Sequence, residues 1–228
     1  MNIEDLYSLY SKNYLVDTDT RTIRPNSMFF SLKGDNFNGN SFAKKAIELG
    51  ARHCVIDEAE YEIEGVTILV NNVLETLQSL ATYQRQKLGI PIIGITGSNG
   101  KTTTKELILA VLKKQFKATA TRGNLNNHIG VPLTLLSFTN ETEIGIVEMG
   151  ANHQKEIEFL ATICEPDLGY ITNFGKAHLE GFGGEEGVIK GKSELYTYLK
   201  EHNKTALINP EDPIQLKLTS SLNSIVLN

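Results

Sequence analysis

The run Pro91-Ile92-Ile93-Gly94-Ile95-Thr96 passes directly into Gly97-Ser98-Asn99-Gly100-Lys101-Thr102 and then into Thr103–Leu112, a segment of helical period. The apolar run reads as a buried strand, so strand, glycine turn and helix follow one another without a linker. That succession is a phosphate cradle. Its glycines let backbone N–H groups converge on an anion, and the helix N-terminus adds partial positive charge. Lys101 is placed to reach the β- and γ-phosphates, and the Thr102 hydroxyl to sit on Mg²⁺. The general nucleotide-loop pattern has a glycine where this chain has Ile95, with Gly94 one step early. The motif therefore rests on its strand–turn–helix context, which implies a site for a nucleoside triphosphate.

Bulk properties narrow the partners. The 228 residues, 40% hydrophobic and 21% charged, suit a packed globular chain of one large or two small domains. A net charge of −5 argues against a nucleic-acid surface, because no basic face dominates. Cys54 and Cys164 lie in apolar contexts and read as reduced, buried thiols rather than a disulfide or a metal pair. No N-terminal stretch resembles a signal peptide and no apolar run approaches membrane-spanning length. The expectation is a cytoplasmic protein without membrane insertion.

The first part of the chain reads as a helix over Glu4–Tyr10, a polar stretch Asp17–Arg21, a strand Met28–Leu32, a glycine/asparagine loop Gly34–Asn40 and a helix Ser41–Leu49 closed by Gly50. Strands His53–Asp57 and Val66–Val70 and a long helix Val73–Leu88 complete it. Gly89-Ile90-Pro91 punctuates the chain before a fresh buried strand, so domains 1–88 and 89–228 are expected. The second part alternates strands at Ile92–Thr96, Ile144–Glu148, Leu168–Thr172 and Thr205–Asn209 with helices near 102–116, 153–162 and 185–200. Such alternation predicts an α/β fold with a mainly parallel sheet and helices on both faces.

Ligands of open parallel sheets gather outside the carboxyl ends of the strands. Glu148 ends its strand, and Asn173–His178 follows directly on Leu168–Thr172, so a lysine, a carboxylate and a histidine are expected at one rim. Glu148 there suits Mg²⁺; its alternative is a partner for a helix N-terminus. His178 reads equally as a loop histidine or a ligand, and imidazole is an unusual ligand for magnesium. Lys192, by pattern alone, is a solvated helix lysine. In Arg122–Pro132, the asparagines either cap turns or touch substrate.

At these residues the chain resembles the Mur ligases, over essentially its whole length. Thr96-Gly97-Ser98-Asn99-Gly100-Lys101-Thr102-Thr103 is similar to that family's ATP loop. Gly123–Pro132, Glu148-Met149-Gly150-Ala151-Asn152-His153-Gln154 and His178-Leu179-Glu180-Gly181-Phe182-Gly183 resemble the branch that joins D-alanyl-D-alanine to UDP-N-acetylmuramoyl-tripeptide. The resemblance implies that Gly97, Ser98, Asn99, Gly100, Lys101, Thr102 and Thr103 bind ATP. It implies that Thr102 and Glu148 hold one Mg²⁺, that His178 assists a second, and that Lys192 is carbamylated into a magnesium-binding group. Lys101, His178 and Lys192 would be catalytic. Thr20 and Arg21, with Asn36 and Phe37 of the Gly34–Gly39 loop, would form the uridine-nucleotide pocket, and Asn126 and Asn127 would meet substrate. Asn38-Gly39-Asn40 departs from the aspartate-glycine-histidine often found there.

The implied fold is a small N-terminal α/β substrate domain followed by a P-loop ATPase domain that is incomplete. The chain stops at Asn228 after the strand-like Ser224–Leu227, whereas Mur ligases continue through adenine contacts and a C-terminal domain. An inactive, monomeric N-terminal fragment is the expectation. The rival readings are a related Mur-type amino-acid ligase and a P-loop nucleotide-binding module without ligase activity.

Overall fold

Continuous rather than alternating apolar stretches decide the sheets. Met28, Phe29 and Phe30 are buried together, as are Cys54, Val55 and Ile56, the pattern of strands covered on both faces in parallel sheets. The computed structural model describes residues 1–226. The chain divides into two α/β units, Met1–Lys87 and a second beginning at Leu88.

The first unit runs α1 (Ile3–Tyr10), β1 (Val16–Asp17), β2 (Met28–Phe30), β3 (Lys33–Gly34), β4 (Phe37–Asn38), α2 (Ala43–Glu48), β5 (His53–Ile56), β6 (Thr67–Leu69) and α3 (Val73–Leu88). Its sheet, ordered β1-β2-β5-β6, is parallel throughout. Strands β3 and β4 form a separate antiparallel hairpin. Asn2 starts α1 by accepting the Asp5 N–H at 2.8 Å, and Glu4 and Asp5 face the positive helix end. Phe29, Cys54 and Ile56 pack with Ala43 and Ala46 of α2. Helix α1 buries Leu6 and Tyr10, and α3 buries Leu77, Leu80 and Ala81; Tyr7 meets Tyr83 edge-on between them.

The second unit runs β7 (Ile92–Thr96), α4 (Lys101–Leu112), β8 (Ala118–Ala120), α5 (Gly130–Leu135), β9 (Ile144–Glu148), α6 (Glu156–Cys164), β10 (Leu168–Ile171), α7 (Leu179–Phe182), α8 (Glu185–Glu201), β11 (Thr205–Ile208), α9 (Pro213–Leu218) and β12 (Asn223–Val226). Its sheet order is β12-β11-β10-β7-β9-β8, every pair parallel. From the central β7 the chain first builds β8 and β9 on one side, then β10 to β12 on the other. The reversal opens a crevice at the carboxyl ends of β7 and β10, where open α/β sheets bind ligands. Ile93, Ile95, Ala120 and Ile146 pack with Ile108, Leu109 and Leu112 of α4. Alternation turns Gly94 to the other face, and its register partner Gly169 lies against Leu195 and Leu199 of α8. Helices thus cover both faces.

The strands expected from sequence differ at their ends by no more than two residues. Helix α6 starts later than expected, at Glu156, because its carboxylate takes the Asn152 and His153 N–H groups at 2.6 and 3.2 Å before helical bonding begins. The segment expected as a helix from Ser41 opens as a 3₁₀ turn over Gly39–Phe42. The expected run Ser224–Leu227 corresponds to β12, with Leu227 itself outside the described residues, as is Asn228. Cys54 and Cys164 are buried and form no disulfide. Among the described residues no helix is long and apolar enough to cross a membrane.

Ile146 is fully buried on the α4 face of the central sheet. Ile146→Ala is expected to destabilise the second unit by about 2–5 kcal/mol, the cost of a buried large-to-small change. Urea unfolding checks this, and a loss below about 1 kcal/mol would contradict the packing assigned to that face.

Candidate functional site

The phosphate loop begins where β7 ends. Gly97 has φ 138°, and a side chain there would collide with Thr172 at the end of β10. Gly100, with φ 77°, is the left-handed residue from which α4 starts. Lys101 folds back, donating to the Gly97 carbonyl at 2.8 Å and to that of Ser98 at 3.4 Å. Burial lowers the basicity of Lys101, and Glu148 opposes this. The Ser98 hydroxyl is buried without a hydrogen-bond partner among the described residues. Thr102 and Thr103 are exposed on the first turn of α4.

The segment after β10 clasps this loop. Asn173 accepts the Asn99 N–H at 3.2 Å and donates its amide to the Asn99 carbonyl at 3.0 Å, while its own carbonyl accepts the Ser98 N–H at 3.1 Å. The Thr172 hydroxyl donates to the same Asn99 carbonyl at 2.6 Å.

Glu148 closes β9 with its side chain only 2% exposed. One oxygen accepts the Thr102 hydroxyl at 3.0 Å, and the other accepts the Asn126 amide at 2.9 Å. The phosphate loop, the end of β9 and the asparagine loop after β8 are therefore joined through one carboxylate. Of the two asparagines singled out in sequence, Asn126 makes this bond. Asn127 turns its side-chain oxygen to the Ile129 and Gly130 N–H groups at 3.1 and 2.9 Å and caps the start of α5. Both line a cavity of about 720 Å³ together with Lys101, His178, Gln154 and Lys155. His178 is exposed at that cavity, in a left-handed conformation at the start of α7.

Lys192 overturns its pattern-based reading as a solvated lysine: it is 1% exposed. Its ammonium donates to the carbonyl of Ala151, a cavity-lining residue, at 3.1 Å and lies 4.9 Å from the Phe182 ring centre. Burial, with repulsion from Lys101 added, pushes its pKa down to about 8 against the attraction of Glu156 and Glu194.

In the first unit the parallel sheet brings the expected substrate residues to one side. Thr20 and Arg21 follow the carboxyl end of β1 in a 3₁₀ turn, and Asn36 and Phe37 belong to the hairpin that follows the adjacent β2. Arg21 pairs with Asp19 at 2.5 Å, and this bond holds the Asp19 carboxyl down at about 2. Phe37 is 58% exposed. Beneath the hairpin Asn40 is fully buried, donating to Asn38 at 2.9 Å and to Asp57 at 2.8 Å. Asn38 donates to Glu58 at 2.7 Å, and Lys33 pairs with Asp57 and Glu58 at 2.9 and 2.7 Å. A separate cavity of about 440 Å³, lined by residues including Met1, Leu6, Asn71 and Glu75, contains none of the four expected substrate residues.

A family profile described as Mur ligase middle domain matches residues 95–226, and one described as Mur ligase family, catalytic domain, matches residues 13–94. The chain belongs to the Mur ligase family. It is 42% identical over 202 residues to the UDP-N-acetylmuramoyl-tripeptide–D-alanyl-D-alanine ligase of Bacillus subtilis, covering 88% of this chain and 44% of that one. With the Escherichia coli protein of the same name the identity is 36%, covering 92% and 46%. The fold matches MurF from Acinetobacter baumannii with a TM-score of 0.82 at 31% identity, covering 93% and 48%. It matches MurF from Thermotoga maritima in complex with ADP with a TM-score of 0.81 at 29% identity, covering 93% and 49%. The chain thus spans about half the length of the relatives it matches.

Two elements of this candidate site are not indicated by the motifs. The position of Asn173 after β10 puts it at the rim but does not disclose its grip on Asn99. Lys105 is a fully buried lysine on α4 whose ammonium donates to the Thr121 carbonyl at 2.7 Å. The available signal for Lys105 is periodic: it lies three and four residues before Ile108 and Leu109, on the inward stripe of α4.

The depressed basicity of Lys192 fixes a sign for the pH dependence of stability. Below about pH 8 the ammonium is charged in folded and unfolded chains alike, and its desolvation counts fully against folding. Between about 8 and the ordinary value of 10.5 the unfolded chain holds the proton and the folded chain does not, so stability rises. The rise is on the order of 3 kcal/mol for a shift of this size. Lys192→Met should remove it in urea titrations at pH 7.5 and 10 in carbonate-free buffer, and a variant with the parent's pH slope would contradict the assignment.

Proposed function

We propose that this chain carries the nucleotide-binding and acyl-substrate-binding part of an ATP-dependent ligase that joins D-alanyl-D-alanine to UDP-N-acetylmuramoyl-tripeptide in the cytoplasm. The observation that carries the reading is the chain Thr102–Glu148–Asn126, which ties a phosphate loop to a carboxylate and to an amide-rich loop at adjoining strand ends. The relatives' shared name supports the choice of substrates.

The reaction makes an amide in two steps. The carboxylate at the tripeptide end attacks the γ-phosphorus of ATP, giving an acyl phosphate and ADP. The amine of D-alanyl-D-alanine then adds to the acyl carbon, and the tetrahedral adduct expels phosphate. Phosphoryl transfer depends mainly on positioning and charge neutralisation. Lys101 exchanges its loop carbonyls for the β- and γ-phosphates. The N–H groups of Gly100–Thr103, at the positive end of α4, face the phosphates, those of Ser98 and Asn99 being taken by Asn173, and the Ser98 hydroxyl gains the partner it lacks. Asn126 and Asn127, on the cavity wall with His178, present amides to the acyl substrate. Thr20, Arg21, Asn36 and Phe37 serve the uridine nucleotide.

The donors also fit magnesium. Thr102 and Glu148 offer a hydroxyl and a carboxylate oxygen 3.0 Å apart, hard donors of the kind Mg²⁺ takes alongside phosphates and water. Among the described residues no cluster of three or more histidines, cysteines or acids stands ready for a metal, in keeping with an ion that arrives with its nucleotide. A second ion would use His178 and a carbamylated Lys192. Its amine is suited to that modification because only the neutral form attacks CO₂, and a pKa near 8 leaves an appreciable neutral fraction at physiological pH. Bound magnesium would supply neutralisation of charge on the transferring phosphoryl group.

Phosphate release that depends on D-alanyl-D-alanine, measured in the full-length protein bearing this sequence, tests the reading. Release driven by a single amino acid would move it to a related Mur-type ligase. ADP binding without any release would leave a nucleotide-binding module. Lys101→Ala should lower turnover by about 10²–10³-fold, as expected for losing one electrostatic stabiliser of the transition state, with the melting temperature unchanged. Near-parent turnover in that variant would remove the phosphate cradle from the mechanism.

A further inference from the structure

The inward stripe of α4, formed by Ile108, Leu109 and Leu112, continues one turn back onto a charge. Lys105 is 0% exposed, and no step of the proposed reaction uses it. Buried lysines require partners, because an uncompensated ammonium in the interior is costly. Lys105 donates to the Thr121 carbonyl at 2.7 Å and lies 3.0 Å from Glu106 and 3.9 Å from Glu148. Glu106 is 59% exposed, so solvent screens its share of the pairing. Glu148 is the buried acid.

Thr121 links the two ends of this pair. Its hydroxyl accepts the Glu148 backbone N–H at 2.9 Å, while its carbonyl takes the Lys105 ammonium. The residue that fixes the backbone of Glu148 therefore also fixes the cation nearest its carboxylate oxygen. That oxygen is the one that accepts the Thr102 hydroxyl. Lys101 also acts on Glu148 electrostatically, but its ammonium rests on loop carbonyls and is committed to phosphate in the proposed reaction.

We propose that Lys105 is a positioning residue, an internal counter-cation that holds the Glu148 carboxylate inward and against the Thr102 hydroxyl before any ligand arrives, so that a metal–nucleotide complex meets a formed pair of oxygen donors. The inference rests on the reading of the phosphate loop as a nucleotide–magnesium site. Lys105 reaches neither nucleotide nor metal; it acts through Glu148. Removing one member of a buried pair leaves the other uncompensated, and the freed carboxylate would turn from Thr102 toward water.

The test uses this 228-residue chain with Lys105→Met, Glu148→Gln and the double variant. Thermal unfolding is followed alongside calorimetric titration with ADP plus Mn²⁺ and with ADP in EDTA. Lys105→Met should lower the melting temperature by on the order of 5 °C, and adding Glu148→Gln should restore at least half of that loss. Affinity for Mn²⁺–ADP should fall by about tenfold or more, the usual cost of losing a group that orients a metal ligand. Affinity for metal-free ADP should hold within about twofold, a split that a purely structural role would not produce. Equal Mn²⁺–ADP affinity in folded Lys105→Met, or equal losses with and without metal, overturns the proposal. If Lys105→Met does not fold, recovery of folding in the double variant supports the pairing and failure to recover overturns it. A parent chain that binds ADP under neither condition overturns the nucleotide-site reading, and this proposal with it.

Discussion

A carboxylate withdrawn from water at the end of a buried strand needs hydrogen-bond donors and positive charge close by, and Glu148 organises its surroundings around that need. Helix α4 supplies the Thr102 hydroxyl and the Lys105 ammonium, and the loop after β8 supplies the Asn126 amide. None of these is near Glu148 in sequence. They meet because β7, β8 and β9 run parallel, so that whatever follows each strand emerges at the same edge. The all-parallel topology is thus a requirement of the site as well as a way of burying Ile-rich strands.

The same edge carries two lysines in different electrostatic situations. Lys101 sits half-buried on the phosphate loop, its ammonium occupied by carbonyls that a phosphate would replace. Lys192 is enclosed, with one carbonyl partner and an aromatic ring, and Lys101 repels it. Two cations this close disfavour one another when no anion is present. Under the proposed reading both conflicts resolve in the same direction: phosphate arrives at Lys101, and carbamylation turns Lys192 from a cation into an anion. The depressed basicity of Lys192 is then the starting condition of its chemistry.

What the sequence disclosed followed from length and apolar content. Ile92–Thr96 and Ile144–Glu148 are long and wholly apolar until their last residue, and their expected and observed ends coincide. Strands β1 and β8, of two and three residues, are too short for any periodicity to register, yet β8 delivers Thr121 and Asn126 to Glu148. Lys192 misled on pattern because α8 looks polar. It is covered on one side by the sheet through Leu195 and Leu199, and Phe182 of α7 lies over Lys192 itself. Spacing nevertheless carries a trace of this burial: Lys192 falls between Val188 and Leu195 on the stripe that α8 buries, just as Lys105 falls on the inward stripe of α4. In both helices the signal is masked because lysine is usually a surface residue.

The first unit shows how a departure from a family's usual residues can be consistent with its own surroundings. At Asn38-Gly39-Asn40 the two asparagines replace the aspartate and histidine often found there. Asn38 donates to Glu58 and accepts twice from Asn40, while Asn40 also donates to Asp57 and accepts its N–H at 3.0 Å. Each amide is thus used as donor and acceptor together, a combination that no carboxylate offers. An aspartate at position 38 would set a second acceptor against Glu58 and add a third acid to a cluster in which Lys33 already serves Asp57 and Glu58. Lys33, followed by Asn38, holds the Glu58 carboxyl below its usual range. With neutral amides in both positions, one lysine suffices to compensate the acids beneath the hairpin, and Thr20, Arg21, Asn36 and Phe37 are carried on a rim whose charges are already met.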